Sequence, residues 1–225
     1  LGVLIFLSTP IVFRSSTQAY VDLGLVFFST ASVFALIRYR NGGFQEFRWL
    51  FIASLSMGLA LGTKYNALVI WFFLTLSIVF ISSRDTKKQW PSIRAGAIFF
   101  LISLFVFSPW LIKNFILTGN PLYPLFTGGI APVIAGENRT GFFQMRELLY
   151  GENFWETLII PLRMFFQGQD NSTRYFDGVL NPVLIILPPF AFARRSFFRD
   201  KLFFLSFIIF FVLTVFFLEG KAFGM

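Results

Sequence analysis

The sequence predicts an all-α fold, a polytopic transmembrane helical bundle with a long outer loop that carries an interfacial amphipathic helix. Three observations predict it. Apolar runs of 13 to 18 residues recur along the chain between short charged links. Hydrophobic residues make up 56% of the 225 and charged residues only 13%, against about a quarter in soluble globular domains. The formal charge of +8 is confined to alternate links.

The first run, residues 1–13, starts at Leu and is 13 residues long. As a helix it measures about 20 Å, short of a hydrocarbon core of about 30 Å. With no basic n-region and no small-residue cleavage pattern, it reads as the tail of a spanning helix rather than a signal peptide. Further runs follow at residues 21–37, 49–62, 68–82, 95–112, 179–193 and 202–218. Between the second and third of these lies only "TKYNA", a tight reversal or else a break within one helical hairpin. Pro188 and Pro189 should kink or end the run that starts at 179. Periodicity is weak within the runs, as expected of helices apolar all round. Residues 1–225 read as one transmembrane domain, a fragment truncated at its start and short of helices at its end.

Links 38–48, 83–94 and 194–201 hold eleven Lys/Arg and three acids, a balance of +8 that equals the charge of the whole chain. This is the positive-inside pattern, and it places these links on the cytoplasmic side. The basic balance then reports topology and contact with anionic headgroups, not nucleic acid. His and Cys are both absent. Zinc sites of the Cys/His kind, cysteine nucleophiles, imidazole bases and disulfides are therefore excluded, and acid–base work falls to Asp, Glu, Lys, Tyr or water. Neither a metal nor another cofactor is expected.

The outer side comprises residues 14–20, the turn at 63–66 and the long stretch 113–178. In "SPWLIKNFILTGNPLYPLF" (108–126), "TGNP" reads as a turn, and Pro121 and Pro124 predict an extended path around Tyr123. "TGGIAPVIAG" (127–136) reads as irregular chain. Residues 152–166 place Trp155, Leu158, Ile159, Leu162 and Phe166 at helical spacing, with Glu152, Glu156 and Arg163 off the stripe. Asn153 followed by Glu156 is a helix-start pair, and the segment reads as an amphipathic helix lying in the interface, kinked at Pro161. Its apolar stripe is expected to face lipid or the bundle, and Glu156 water. Two sequons, at Asn138 and Asn171, carry no weight because the pattern is short.

Asp22 and Lys64 stand at matching depth on the outer side. Asp22 has two readings: an N-cap for the helix that follows, or a carboxylate doing chemistry at the membrane rim. Lys64 either snorkels to the headgroups or holds an anion. Tyr65, Tyr123, Trp110 and Trp155 suit interfacial aromatics. The functional reading rests on convergence: acid, base, ring residues and irregular backbone collect on one face, while the other has basic links.

Four segments together, "YVDLGLVFF", "GLALGTKYNALV", "SPWLIKNFILTGNPLYPLF" and "YFDGVLNPVLIILPPF", resemble bacterial membrane glycosyltransferases of the GT-C class. These use a polyprenyl-phosphate-linked sugar, and include protein O-mannosyltransferases and lipid A aminoarabinose transferases. The resemblance spans residues 9 to 189. It implies an enzyme of the bacterial inner membrane that transfers a hexosyl or pentosyl group, with its site facing outward. Its expected partners are a polyprenyl-phosphate sugar donor, a lipid, glycan or protein acceptor, and membrane lipids. Asp22 corresponds to a second acidic position of the family and is the catalytic candidate. Lys64, Tyr65, Asn120 and Tyr123 are the substrate-binding candidates, with Lys64 near the carrier phosphate. The family's first outer loop, with its principal acid, falls outside this chain, so the fragment alone is expected to be inactive. The rival is a transporter or lipid-linked-sugar flippase. Transporters place charges near mid-membrane, whereas here the charges cluster at one rim.

Overall fold

The computed structural model describes residues 2–18, 20–125, 142–193 and 198–218. Among them every regular element is helical. The chain divides into two compact units, one of Tyr20–Thr127 and one of Leu1–Ala19 with Gly128–Met225.

The opening run forms two short helices, α1 (Gly2–Leu7) and α2 (Pro10–Thr17), instead of the single helix tail expected. Pro10 is the cause. Its ring disfavours helical backbone at the preceding residue, and Thr9 is extended at φ −75°, ψ 120°. Proline is then well placed as the first residue of the new helix, where no N–H is needed.

Four long helices build the Tyr20–Thr127 unit: α3 (Asp22–Asn41), α4 (Phe47–Thr63), α5 (Ala67–Thr86) and α6 (Gln89–Thr118). Among the described residues α3, α5 and α6 are long and apolar enough to cross a membrane, and α4, with 17 residues, is slightly shorter. Each runs past its apolar stretch into polar flanks, because the backbone ladder continues where hydropathy stops. The 30 residues of α6 span about 45 Å. Helix α3 packs on α4, and α6 packs on both α4 and α5. Small residues in the seams, among larger ones such as Leu50, Met57 and Phe99, let backbones approach. Gly58 and Gly96 sit where a methyl group would lie 2.5 Å from Val106 Cβ and 2.4 Å from Val79 Cγ2. Buried hydroxyls bridge the helices: Ser32 donates to the Ala53 carbonyl (2.9 Å), Ser103 to that of Ser54 (3.0 Å), and Ser92 to the Ser82 hydroxyl (2.9 Å). Phe27, Phe51, Phe80 and Phe105 point outward, as in a bundle whose solvent is hydrocarbon.

The links α3–α4 and α5–α6 lie at the same end of this bundle, where Arg40 Nε meets Asp85 Oδ2 at 3.0 Å. The reversal between α4 and α5 occupies the opposite end, as the "TKYNA" reading requires. After α6, Gly119 takes the left-handed conformation (φ 72°) that closes the helix. Residues 121–125 then form turns, not the extended path expected, since Asn120 draws the chain back on itself.

The other unit continues with α7 (Phe142–Tyr150), α8 (Phe154–Leu158), α9 (Ile160–Arg163), α10 (Val183–Ala193) and α11 (Phe198–Leu218). The amphipathic helix expected over 152–166 is two short pieces that break at Ile159, two residues before Pro161. Its start is as read: the Asn153 side chain accepts from the Glu156 N–H and Glu156 accepts from the Asn153 N–H, both at 2.8 Å. Trp155, Leu158, Ile159 and Leu162 are exposed, so they face away from this unit's own interior, and Glu156 is exposed as well. Helix α10 runs on for four residues past Pro189 and does not end there. It starts at Val183, later than the apolar run, with the Asn181 side chain accepting from the Val183 N–H. The segment 127–136, the sequon at Asn138 and the arginines of the 194–201 link that precede α11 lie outside the described residues.

Candidate functional site

Asp22 is the first residue of α3, not its cap. Val21 precedes it in helical backbone (φ −82°, ψ −6°), a conformation that an N-cap does not take, and no side chain caps this helix. The Asp22 carboxylate is therefore available to a partner from another helix. It accepts a 2.8 Å bond from Lys64 Nζ, 42 residues away. Lys64 closes α4 in extended backbone (φ −157°, ψ 141°), which throws its side chain off the helix axis. The two side chains remain 47% and 42% exposed, so solvent and ligands reach the pair.

Next to Lys64, the Tyr65 hydroxyl joins three elements. It donates to the Tyr123 carbonyl (2.5 Å) and accepts from Trp110 Nε1 (3.1 Å) and Asn114 Nδ2 (2.8 Å). Asn114 Nδ2 also lies 3.4 Å and 3.3 Å from the carbonyls of Pro121 and Tyr123. Asn120 braces the turn beyond: its Oδ1 accepts from the Leu122 N–H (3.0 Å) and its Nδ2 donates to the Leu125 carbonyl (2.6 Å). The Tyr123 ring stays half exposed. Lys113 stands with its ammonium 4.4 Å from the centre of the Trp110 ring.

The structure thus pairs Asp22 with Lys64 and joins Tyr65 to the backbone of Tyr123, with Asn120 in the same turn as Tyr123. Two members of this end of the bundle escape a reading of the sequence. Trp110 reads as an ordinary interfacial aromatic, and Asn114 stands unremarked in "LIKNFIL". The available signal is a lone carboxamide in an apolar stretch, four residues after Trp110 and so on the same helix face.

A second polar cluster lies in the other unit. Glu152, only 3% exposed, receives Arg146 Nε and Nη2 at 2.7 Å each, and Arg163 Nη2 at 3.1 Å. Arg146 also donates to the carbonyl of Arg174 at 2.8 Å and stacks over Tyr150. Burial pushes the Glu152 carboxyl up, but the hydrogen bonds and charges of the two arginines outweigh it and hold it below the ordinary glutamate value. At the surface, Arg14 contacts Asp177 at 2.9 Å and Asp170 at 3.1 Å. The Arg14 bond, aided by the Asn171 N–H, holds Asp177 below its usual value. Among the described residues, no three Asp or Glu side chains gather into a set able to hold a metal ion.

A paired carboxylate and ammonium at an accessible bundle end can take a proton from a hydroxyl and neutralise an anionic leaving group. The family model of the dolichyl-phosphate-mannose-protein mannosyltransferases matches residues 1–123, and so contains Asp22, Lys64, Tyr65, Asn120 and Tyr123. No curated protein and no solved structure matches the chain. The matched residues exceed half of the 225, and the long apolar helices fit integral-membrane glycosyltransferases that use a lipid-linked sugar. On that match, the chain belongs to the dolichyl-phosphate-mannose-protein mannosyltransferase family.

Proposed function

We propose that this protein moves a sugar from a polyprenyl-phosphate carrier to an acceptor at the outward face of a bacterial inner membrane. The observation that carries the reading is the Asp22–Lys64 pair, at the bundle end opposite the basic links 38–48 and 83–94. Under the positive-inside rule that end faces outward.

In this reading the bond between the sugar's anomeric carbon and the carrier phosphate breaks, and the acceptor oxygen bonds to that carbon. Lys64 neutralises the polyprenyl phosphate as it leaves. Asp22 orients the acceptor or accepts its proton. The exposed Tyr123 ring offers a face to the sugar, while Tyr65 and Asn120 shape the turns on which these groups stand. The Phe-rich helix exteriors suit the polyprenyl tail. The acceptor belongs to the classes lipid, glycan or protein. Charges at the rim, rather than mid-helix, favour this over transport.

The test uses the full-length protein in liposomes with a radiolabelled polyprenyl-phosphate sugar and candidate acceptors. Label moving from the organic phase to an acceptor supports the reading. Label that crosses the bilayer still attached to its carrier would identify a flippase instead.

A further inference from the structure

We infer that Trp110, Asn114 and Tyr65 form a positioning hub that sets Lys64 and the Tyr123 turn in place for the carrier-linked sugar. The inference rests on the glycosyl-transfer reading above and assigns new roles within that site. A hydroxyl has one proton and two lone pairs. The Tyr65 hydroxyl uses its proton on the Tyr123 carbonyl and both lone pairs on Trp110 Nε1 and Asn114 Nδ2. Nothing is left over for a ligand, so Tyr65 acts through what it holds.

What it holds is specific. Tyr65 follows Lys64 directly in the turn between α4 and α5, and the Tyr123 carbonyl belongs to the turn after α6. The two turns are thereby fastened to each other across 58 residues of sequence. Asn114 is 6% exposed and reaches both sides of the junction, the Tyr65 hydroxyl and the carbonyls of 121 and 123. Its N–H₂ has two protons, so one carboxamide can serve both turns at once. The Tyr65 ring also meets Phe107 edge-on, 6.5 Å between centres. Lys64 itself has a long flexible stem and is half exposed, so its placement depends on how firmly its backbone is held.

The experiment combines hydrogen exchange with kinetics on the full-length protein, for Tyr65→Phe, Asn114→Leu and the double variant. Backbone amides of Ala67, Leu68, Tyr123 and Leu125 are bonded within the two turns. They should exchange about tenfold faster in either single variant, while Gly42 and Phe44 at the far end stay unchanged. KM for a polyprenyl-phosphate sugar should rise about five- to tenfold, as for loss of one buried hydrogen bond, with kcat changed less than about threefold. The double variant should cost clearly less than the product of the two singles, since both cut one junction. Unchanged exchange in the turns overturns the hub. Faster exchange with unchanged KM reduces it to a structural brace and overturns the positioning role. Costs that multiply in the double variant overturn it too, because Tyr65 would then act independently of Asn114. If the wild type transfers no sugar, the glycosyl-transfer reading fails by itself, and with it the proposed role, while the exchange data still decide whether the junction exists.

Discussion

Replacing Asp22 with Asn separates a structural role from a chemical one, because the structure limits what the charge contributes to stability. The carboxylate makes no cap bond and pairs with Lys64 at 2.8 Å, with both side chains more than two fifths exposed. Exposed pairs of this kind contribute about 0.2–1 kcal/mol. A negative charge in the first turn of a helix adds about 0.3–1 kcal/mol through the macrodipole. Asp22→Asn should therefore cost no more than about 2 kcal/mol of stability, seen as a small fall in the detergent-solubilised melting temperature. Transfer is a different matter. General-base participation is worth about 10²–10⁴-fold in rate, or about 2.7–5.5 kcal/mol of barrier. The assay is sugar transfer by the full-length protein in liposomes, at matched expression and membrane insertion, for Asp22→Asn, Lys64→Gln and the swap of the two charges. The swap restores an ion pair without restoring either chemical role. Loss of at least a hundredfold in transfer by Asp22→Asn, unrepaired by the swap, is the expected result. Near-normal transfer by Asp22→Asn, or recovery by the swap, would refute the reasoning and leave the pair a structural contact.

Other measurements follow from the same structure. Single cysteines placed at Gln45 and Gln89 of this Cys-free chain should resist an impermeant thiol reagent in intact cells, and their labelling would invert the orientation. Glu152→Gln removes the carboxylate from the buried Arg146 and the partly buried Arg163 and should destabilise its unit by about 3 kcal/mol, measured by thermal unfolding or proteolysis. The lowered carboxyls of Glu152 and Asp177 give a sign to acid sensitivity. Their stabilisation is complete above the unfolded carboxylate values of about 4 and fades as pH falls through the lower folded values. Protease resistance of this unit should therefore drop in strong acid, and less so in Glu152→Gln. Gly58→Ala should loosen the α4–α6 seam by at least about 1–3 kcal/mol, since its methyl would also lie 2.8 Å from the Ser103 carbonyl oxygen.

Much of this was legible along the chain. Asn153 and Glu156 announced their helix start because a capping box is local, made by two residues three apart. The junction at Lys64–Asn66 was legible as a tight reversal or a break in one hairpin, because two apolar runs leave few residues between them, and the separate helices α4 and α5 decided for the reversal. Proline was legible only in part. Pro10 split a run expected to stay whole, and Pro188 with Pro189, expected to kink or end their helix, do not end it. Glu152 and Arg163 read as the wet side of an amphipathic helix, yet Arg146 from α7 turns them inward. No rule of spacing contains that third partner.

By itself, the sequence determined the all-α membrane class, the alternation of charged links and the family resemblance. Each of these depends on what a segment is made of, since a bilayer and its headgroups act as solvent on every segment separately. Only the tertiary structure decided that Asp22 meets Lys64, that Tyr65 spends its hydroxyl on three protein groups, and that Trp110 and Asn114 belong to the same end. Those partners lie 42 to 58 residues apart, and a hydrogen bond shorter than 3.5 Å exists between them only after α3, α4 and α6 have packed through their seams.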